Sequence, residues 1–156
     1  MARRSRTRQI ALQVLYQFDM NPQSHPAASD AWMQRRLRLP ELVEFARSLV
    51  AGVRRHQAEL DQAIQQAATN WAMDRMAVTD RNVLRLGAYE ILHTATPPRV
   101  AIDEAVELAK RFGTADSARF VNGILDALLH RQHAAGAAKQ QSDAPQLPEG
   151  SGQETT

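Results

Sequence analysis

From Arg8 onward the apolar residues Ile10, Ala11, Val14, Leu15 and Phe18 return at intervals of three and four, the spacing that gathers side chains on one face of a helix. Asn21-Pro22 closes that pattern, and a less periodic stretch follows in which Asp30 is placed to cap a helix running through Trp32 and Leu37. Pro40 suits a first helical turn. After it, Leu42, Phe45, Ala46, Leu49, Val50 and Val53 predict a strongly amphipathic helix with Glu41 and Glu44 near its positive end. The spacing resumes at Leu60, Ile64 and Ala67, so a break is expected near His56.

The second half of the chain is patterned more densely. Thr79-Asp80 reads as a cap for Val83, Leu84, Leu86, Gly87, Ala88, Ile91 and Leu92, which are apolar around most of the circumference and predict a central helix. Pro97-Pro98 stops it. The run from Val100 to Phe112 carries Asp103 and Glu104 early and Lys110-Arg111 late, matching the helix dipole, and Gly113 fits a left-handed position after its end. Asp116 or Ser117 is placed to cap a last helix with Phe120, Val121, Ile124, Leu125, Leu128 and Leu129 as its stripe. Asn122-Gly123 has no flanking strand pattern and reads as helical. The fold class expected is all-α, a bundle of about six or seven helices.

Beyond His133 the chain turns to Ala, Gln, Ser, Pro and Gly, too poor in large apolar groups to offset the entropy of ordering. The expected organisation is therefore one helical domain over residues 1–133 and a disordered tail over 134–156. With 156 residues, a second domain is not expected. The absence of cysteine excludes disulfides and thiolate metal sites. Gln9, Gln13, Gln17 and Asp19 interrupt any secretory core after the basic start, and no apolar run approaches the roughly 20 residues of a membrane span, so a soluble chain is expected.

Charge adds one feature. The tail sets Lys139 against Asp143, Glu149 and Glu154, so of the overall +2 residues 1–133 carry +4. Arg3, Arg4, Arg6 and Arg8 all fall in the first eight residues. Such an arm, if mobile, would attract a polyanion, because guanidinium groups fork onto phosphate oxygens and stack on bases; the alternative is an arm that only improves solubility.

Other chemistry is thinly represented. Glu90-Ile-Leu-His93 has the Glu-x-x-His spacing of di-iron bundles, but there is one copy where such a centre needs two, so no metal site is expected. The five histidines, at 25, 56, 93, 130 and 133, form no catalytic constellation; an exposed His56 leaves a phosphotransfer module as the nearest enzymatic alternative. No phosphate-binding loop or nucleophile elbow occurs, and neither a catalytic residue nor a cofactor is expected. Of the aromatics, Trp71 and Tyr89 lie beside dense apolar runs and are expected in the core, whereas Phe120 follows a polar loop and is expected near its helix's exposed start.

Two stretches carry a resemblance. Arg6-Thr-Arg-Gln-Ile-Ala-Leu-Gln-Val-Leu-Tyr16 is similar to the opening of the NusB family. A second, nearly ungapped similarity runs from Asp80-Arg-Asn-Val-Leu-Arg-Leu-Gly-Ala-Tyr-Glu90 through Pro97–Gly113 to Asp116-Ser-Ala-Arg-Phe-Val-Asn-Gly-Ile-Leu-Asp126. The likeness spans about residues 4–130, the middle by helical pattern alone. It implies two helical subdomains, no reaction, and a cytoplasmic role in antitermination on ribosomal RNA operons. The implied partners are boxA RNA, the ribosomal protein NusE, other Nus factors and RNA polymerase, with a homodimer possible.

Carried over residue by residue, the resemblance implies an RNA face of Arg3, Arg4, Arg6 and Arg8 close to Asp116, Ser117 and Phe120. It implies a partner face including Tyr16, Asp80, Arg81 and Arg85, with guanidinium groups exposed. Asp116 is expected to cap a helix or meet a base edge, since an acid repels phosphate. Two features depart from the family: the tail after His133, and Gly87 where alanine is more usual, at about 1 kcal/mol of helix propensity unless close packing recovers it. The alternative function is a helical interaction module without specific RNA binding.

Overall fold

The computed structural model describes residues 3–142. Seven α-helices are described: α1 Arg3–Met20, α2 Pro26–Leu37, α3 Pro40–Arg55, α4 Gln57–Ala67, α5 Val78–His93, α6 Pro98–Phe112 and α7 Ser117–Ser142, with a 3-10 turn at Met73–Arg75. No strand occurs among the described residues. The helices α1, α2 and α3 pack on one another, α4, α6 and α7 form a second group, and α5 touches α1 and α3 on one side and α4, α6 and α7 on the other.

The apolar pattern explains this arrangement. The stripe on α1 buries Ile10, Ala11, Val14, Leu15 and Phe18, and that on α3 buries Val43, Ala46, Leu49, Val50 and Val53. A bundle helix that is apolar on one side needs one neighbour; α5, buried at every position from Asn82 to Ala88, needs several and finds them. At Gly87 the helices come close, and a Cβ would stand 2.6 Å from Leu125 and 3.2 Å from Ala105. The close packing that would recover its propensity cost is present. No helix among the described residues is long and apolar enough to cross a membrane.

Several helix ends differ from expectation. The helix α2 starts earlier, at Pro26, with the His25 Nδ1 accepting from the Ala27 N–H at 3.2 Å, which leaves Asp30 free to pair with Arg47 at 2.8 Å. Ala77, not Thr79 or Asp80, stands before α5, whose start has no side-chain cap. Gly113 is extended (φ −95°, ψ −162°), not left-handed. Glycine is required there for space instead: a Cβ would lie 2.4 Å from Ser117 Oγ and 2.8 Å from the Ala109 carbonyl.

The last helix also outruns the expected domain edge. It continues from His133 to Ser142 although residues 134–140 are all exposed. Ala134, Ala135, Ala137, Ala138, Lys139, Gln140 and Gln141 are strong helix formers, and extending an existing helix avoids the nucleation cost that a separate segment would meet. The remainder of the expected tail, 143–156, lies outside the described residues.

Candidate nucleic-acid interface

The arginine arm is helical. Arg3, Arg4 and Arg6 are exposed on the first two turns of α1, a turn with no acid in it. Two hydroxyls secure it: Thr7 Oγ1 donates to the Arg3 carbonyl at 2.9 Å, and Ser5 Oγ donates to Glu104 Oε1 on α6 at 2.8 Å. The arm was expected to act as a mobile segment; the structure presents it as part of a packed helix. Three cations at the positive end of a helix repel one another and the dipole, and an anion relieves both.

Arg8 behaves differently. One turn on from Arg4, it is 4% exposed, with Nε 2.6 Å from Glu90 Oε1, Nη2 2.8 Å from Glu90 Oε2 and Nη1 3.7 Å from Glu104. Burial opposes its charge, but the hydrogen bond it donates to Glu90 and the charges of Glu90 and Glu104 outweigh that and raise its pKa. The expectation of an RNA-facing Arg8 is corrected here: its donors are turned to carboxylates from α5 and α6. Glu90 is thereby an internal anchor rather than half of a Glu-x-x-His surface pair.

The seam between α1 and α6 links the arm to the other expected site. It opens as a cleft lined by Ser5, Gln9, Glu104, Glu107, Lys110 and Arg111, then as a second of about 390 Å³ lined by Leu12, Gln13, Tyr16, Thr79 and Phe112. The loop to α7 begins one residue later. Arg3 and Tyr16 are therefore about 20 Å apart along α1 at 1.5 Å per residue. Arg3, Arg4 and Arg6 lie at the start of α1, while the loop leading to Asp116, Ser117 and Phe120 leaves the end of α6 at Phe112, which stands beside Leu12 and Tyr16.

At the loop end Ser117 is buried, and its Oγ accepts from the Thr114 N–H at 2.9 Å, shaping the turn from inside. Asp116 is exposed and its backbone carbonyl, at 3.1 Å, accepts from the Phe120 N–H. Phe120 is half-buried and meets Trp71 edge-on, centroids 5.6 Å apart. Trp71 was expected in the core; it is 55% exposed. Gln65 holds its loop, donating to the Trp71 carbonyl at 2.7 Å and accepting from the Met73 N–H at 3.0 Å. The polar run Thr69-Asn70 beside Trp71 was the signal that the residue stands in a loop. Lys110 and Arg111, which complement the dipole of α6, also line the seam.

The expected partner residues divide in the same way. Tyr16 is exposed and Asp80 half-buried. Arg81 and Arg85 are not exposed guanidinium groups: Arg81 binds Asp19 at 2.9 and 3.0 Å, and Arg85, 6% exposed, binds Asp61 at 2.7 and 2.9 Å and Asp19 at 3.1 Å. Asn82 donates to the same Asp19 oxygen at 2.9 Å. Burial alone would raise Asp19, but bonds from Arg81 and Asn82 and the charges of Arg81 and Arg85 win and hold it below the ordinary carboxylate range. This network ties α1 and α4 to α5.

The NusB family model matches residues 5–130, from the first turn of α1 into α7. The chain belongs to the NusB family. It is 47% identical over 131 residues to the transcription antitermination protein NusB of Myxococcus xanthus, covering 81% of this chain and 94% of that one. To its counterpart in Anaeromyxobacter dehalogenans it is 45% identical over 126 residues, covering 80% and 89%. Among solved structures it is similar to T. maritima NusB, with a TM-score of 0.73, 34% identity, and 83% and 92% of the two chains covered. It is also similar to a chain in a crystal structure of the antitermination factors NusB and NusE with dsRNA, with a TM-score of 0.74, 28% identity, and coverage of 84% and 98%. The seven-helix NusB fold thus carries the seam, the basic α1 start and the Trp71–Phe120 pair as parts of one frame.

Proposed function

We propose that this chain is a transcription antitermination factor that binds boxA RNA together with the ribosomal protein NusE and catalyses no reaction. The observation that carries the reading is the start of α1, where Arg3, Arg4 and Arg6 crowd a positive helix end that has no acid in its first turn. A phosphate backbone meets them there and follows the α1–α6 seam past Lys110 and Arg111, and bases stack at Trp71 and Phe120. Tyr16 and Asp80 contribute to the NusE contact; Arg81 and Arg85 hold the helices behind it. The relatives' names and the NusB–NusE–dsRNA structure support this assignment. Two partners share the affinity, so neither contact need be strong. The factor acts in the cytoplasm, with other Nus factors and RNA polymerase, on ribosomal RNA operons.

A fluorescence-anisotropy titration of boxA and a scrambled RNA, with and without NusE and at several salt concentrations, tests this. Preference for boxA, strengthened by NusE, is the expected result. Changing Arg3, Arg4 and Arg6 together to alanine removes up to three phosphate contacts and flattens the salt slope by about 2, at roughly 0.7 per contact for a single strand. Their exposure predicts an unchanged melting temperature. Equal weak binding of both RNAs, indifferent to NusE and to these arginines, refutes the reading in favour of an interaction module without specific RNA binding.

A further inference from the structure

We propose that His56, Glu59 and His93 form a binding site for a divalent transition metal of the zinc type, separate from the arginine-rich start of α1. The three residues come from three places: His56 joins α3 to α4, Glu59 lies in the first turn of α4, and His93 ends α5. The fold brings them together. Glu59 stands between the two rings, with Oε1 3.0 Å from His93 Nε2 and Oε2 3.4 Å from His56 Nδ1. The potential ligand atoms all lie within 4.8 Å of one another.

That spacing suits an ion. Zinc bonds of about 2.0–2.1 Å in a tetrahedron set neighbouring ligand atoms roughly 3.3 Å apart, close to the two contacts made by the separate Glu59 oxygens. A hydrogen bond from an imidazole to a carboxylate lies in the ring plane, along the direction a nitrogen lone pair uses for a metal. The two rings are stacked in nearly parallel planes, so sharing one ion requires an imidazole to turn about its Cβ–Cγ bond until both lone pairs meet beside the carboxylate. Two imidazoles with one carboxylate favour zinc and its borderline neighbours over magnesium or calcium, and three ligands leave a fourth position for water.

The fold also keeps the two rings next to each other. The His56 and His93 imidazoles stack at 4.1 Å between centroids with planes 14° apart, and Tyr89, one turn before His93, lies 5.8 Å from the His93 ring and 6.1 Å from the His56 ring. Tyr89 reaches this place because residue 52 is glycine: a Cβ on it would fall 2.0 Å from Tyr89 Cζ. The His56 and His93 side chains are 32% and 25% exposed, which leaves solvent a path to the ion. A bound ion would clip the α3–α4 corner to the end of α5 and so stabilise the folded chain.

The test is a zinc titration of the full, untagged chain after chelator treatment, followed by calorimetry and by NMR of the five histidine rings. A single equivalent is expected to shift the His56 and His93 signals while His25, His130 and His133 stay still, and to raise the melting temperature reversibly. His56→Gln, His93→Gln and Glu59→Gln should each weaken binding by about ten-fold or more. Shifts spread evenly over all five histidines, or His93→Gln binding zinc as tightly as the natural chain, would overturn the proposal. Should a variant fail to fold, the ring shifts of the natural chain decide alone.

Discussion

Replacing Arg8 by alanine separates the two roles that four neighbouring arginines were expected to share. The guanidinium is 4% exposed and Glu90 is 2% exposed, and the two are joined by contacts of 2.6 and 2.8 Å. Removing one partner leaves the other buried without its counter-charge, which costs about 3–5 kcal/mol. At roughly 2–4 °C per kcal/mol for a domain near this size, the melting temperature should fall by about 6–20 °C. Arg8→Met combined with Glu90→Leu removes both charges and refills the space with apolar atoms, and should recover much of the loss. Differential scanning calorimetry on the two variants and on Arg4→Ala provides the measurement. An Arg8→Ala protein that melts within a degree of the parent, yet loses RNA affinity as Arg4→Ala does, would refute the buried-anchor role.

Two further outcomes follow from the same geometry. Trp71→Ala should weaken boxA binding by about 1–3 kcal/mol, the scale for one stacked base, with little change in melting temperature because the ring is 55% exposed; unchanged affinity would remove Trp71 from the RNA path. Asp19 has a depressed folded pKa, so its contribution to stability is fully present above the ordinary carboxylate pKa, about 3.9, and is lost as pH falls through the lower folded value. Chemical denaturation of the parent should therefore show stability declining below about pH 4, and Asp19→Asn should flatten that part of the decline while lowering stability at neutral pH.

The basic start illustrates how far local reading reaches. Four arginines within eight residues are visible in the chain, and so is the helical spacing of the apolar residues that follow. Continuing that spacing backward puts Arg8 beside Ile10 and Ala11 on the way to the core face, yet its carboxylate partners stand 82 and 96 positions away, and nothing local announces them. Trp71 shows the converse: its apolar neighbours in sequence suggest burial, but the loop after α4 turns it outward against Phe120. Arg81 and Arg85 repeat the lesson, since their acids come from α1 and α4.

The sequence by itself determined the all-helical class, most helix limits, the central place of α5 and nearly all of the apolar core, because these depend on periodicity, propensity and breakers that act over a few residues. It also carried the family, through the stretches around Arg6–Tyr16 and Asp80–Asp126. Only the tertiary structure decided which charges are spent inside the fold and which face outward: Arg8, Arg81 and Arg85 turn to acids on other helices, while Arg3, Arg4 and Arg6 stay exposed. It alone set His56, Glu59 and His93 side by side and Phe120 against Trp71. Those relations depend on how helices distant in the chain pack, and a charge's role depends on what lies within a few ångströms of it.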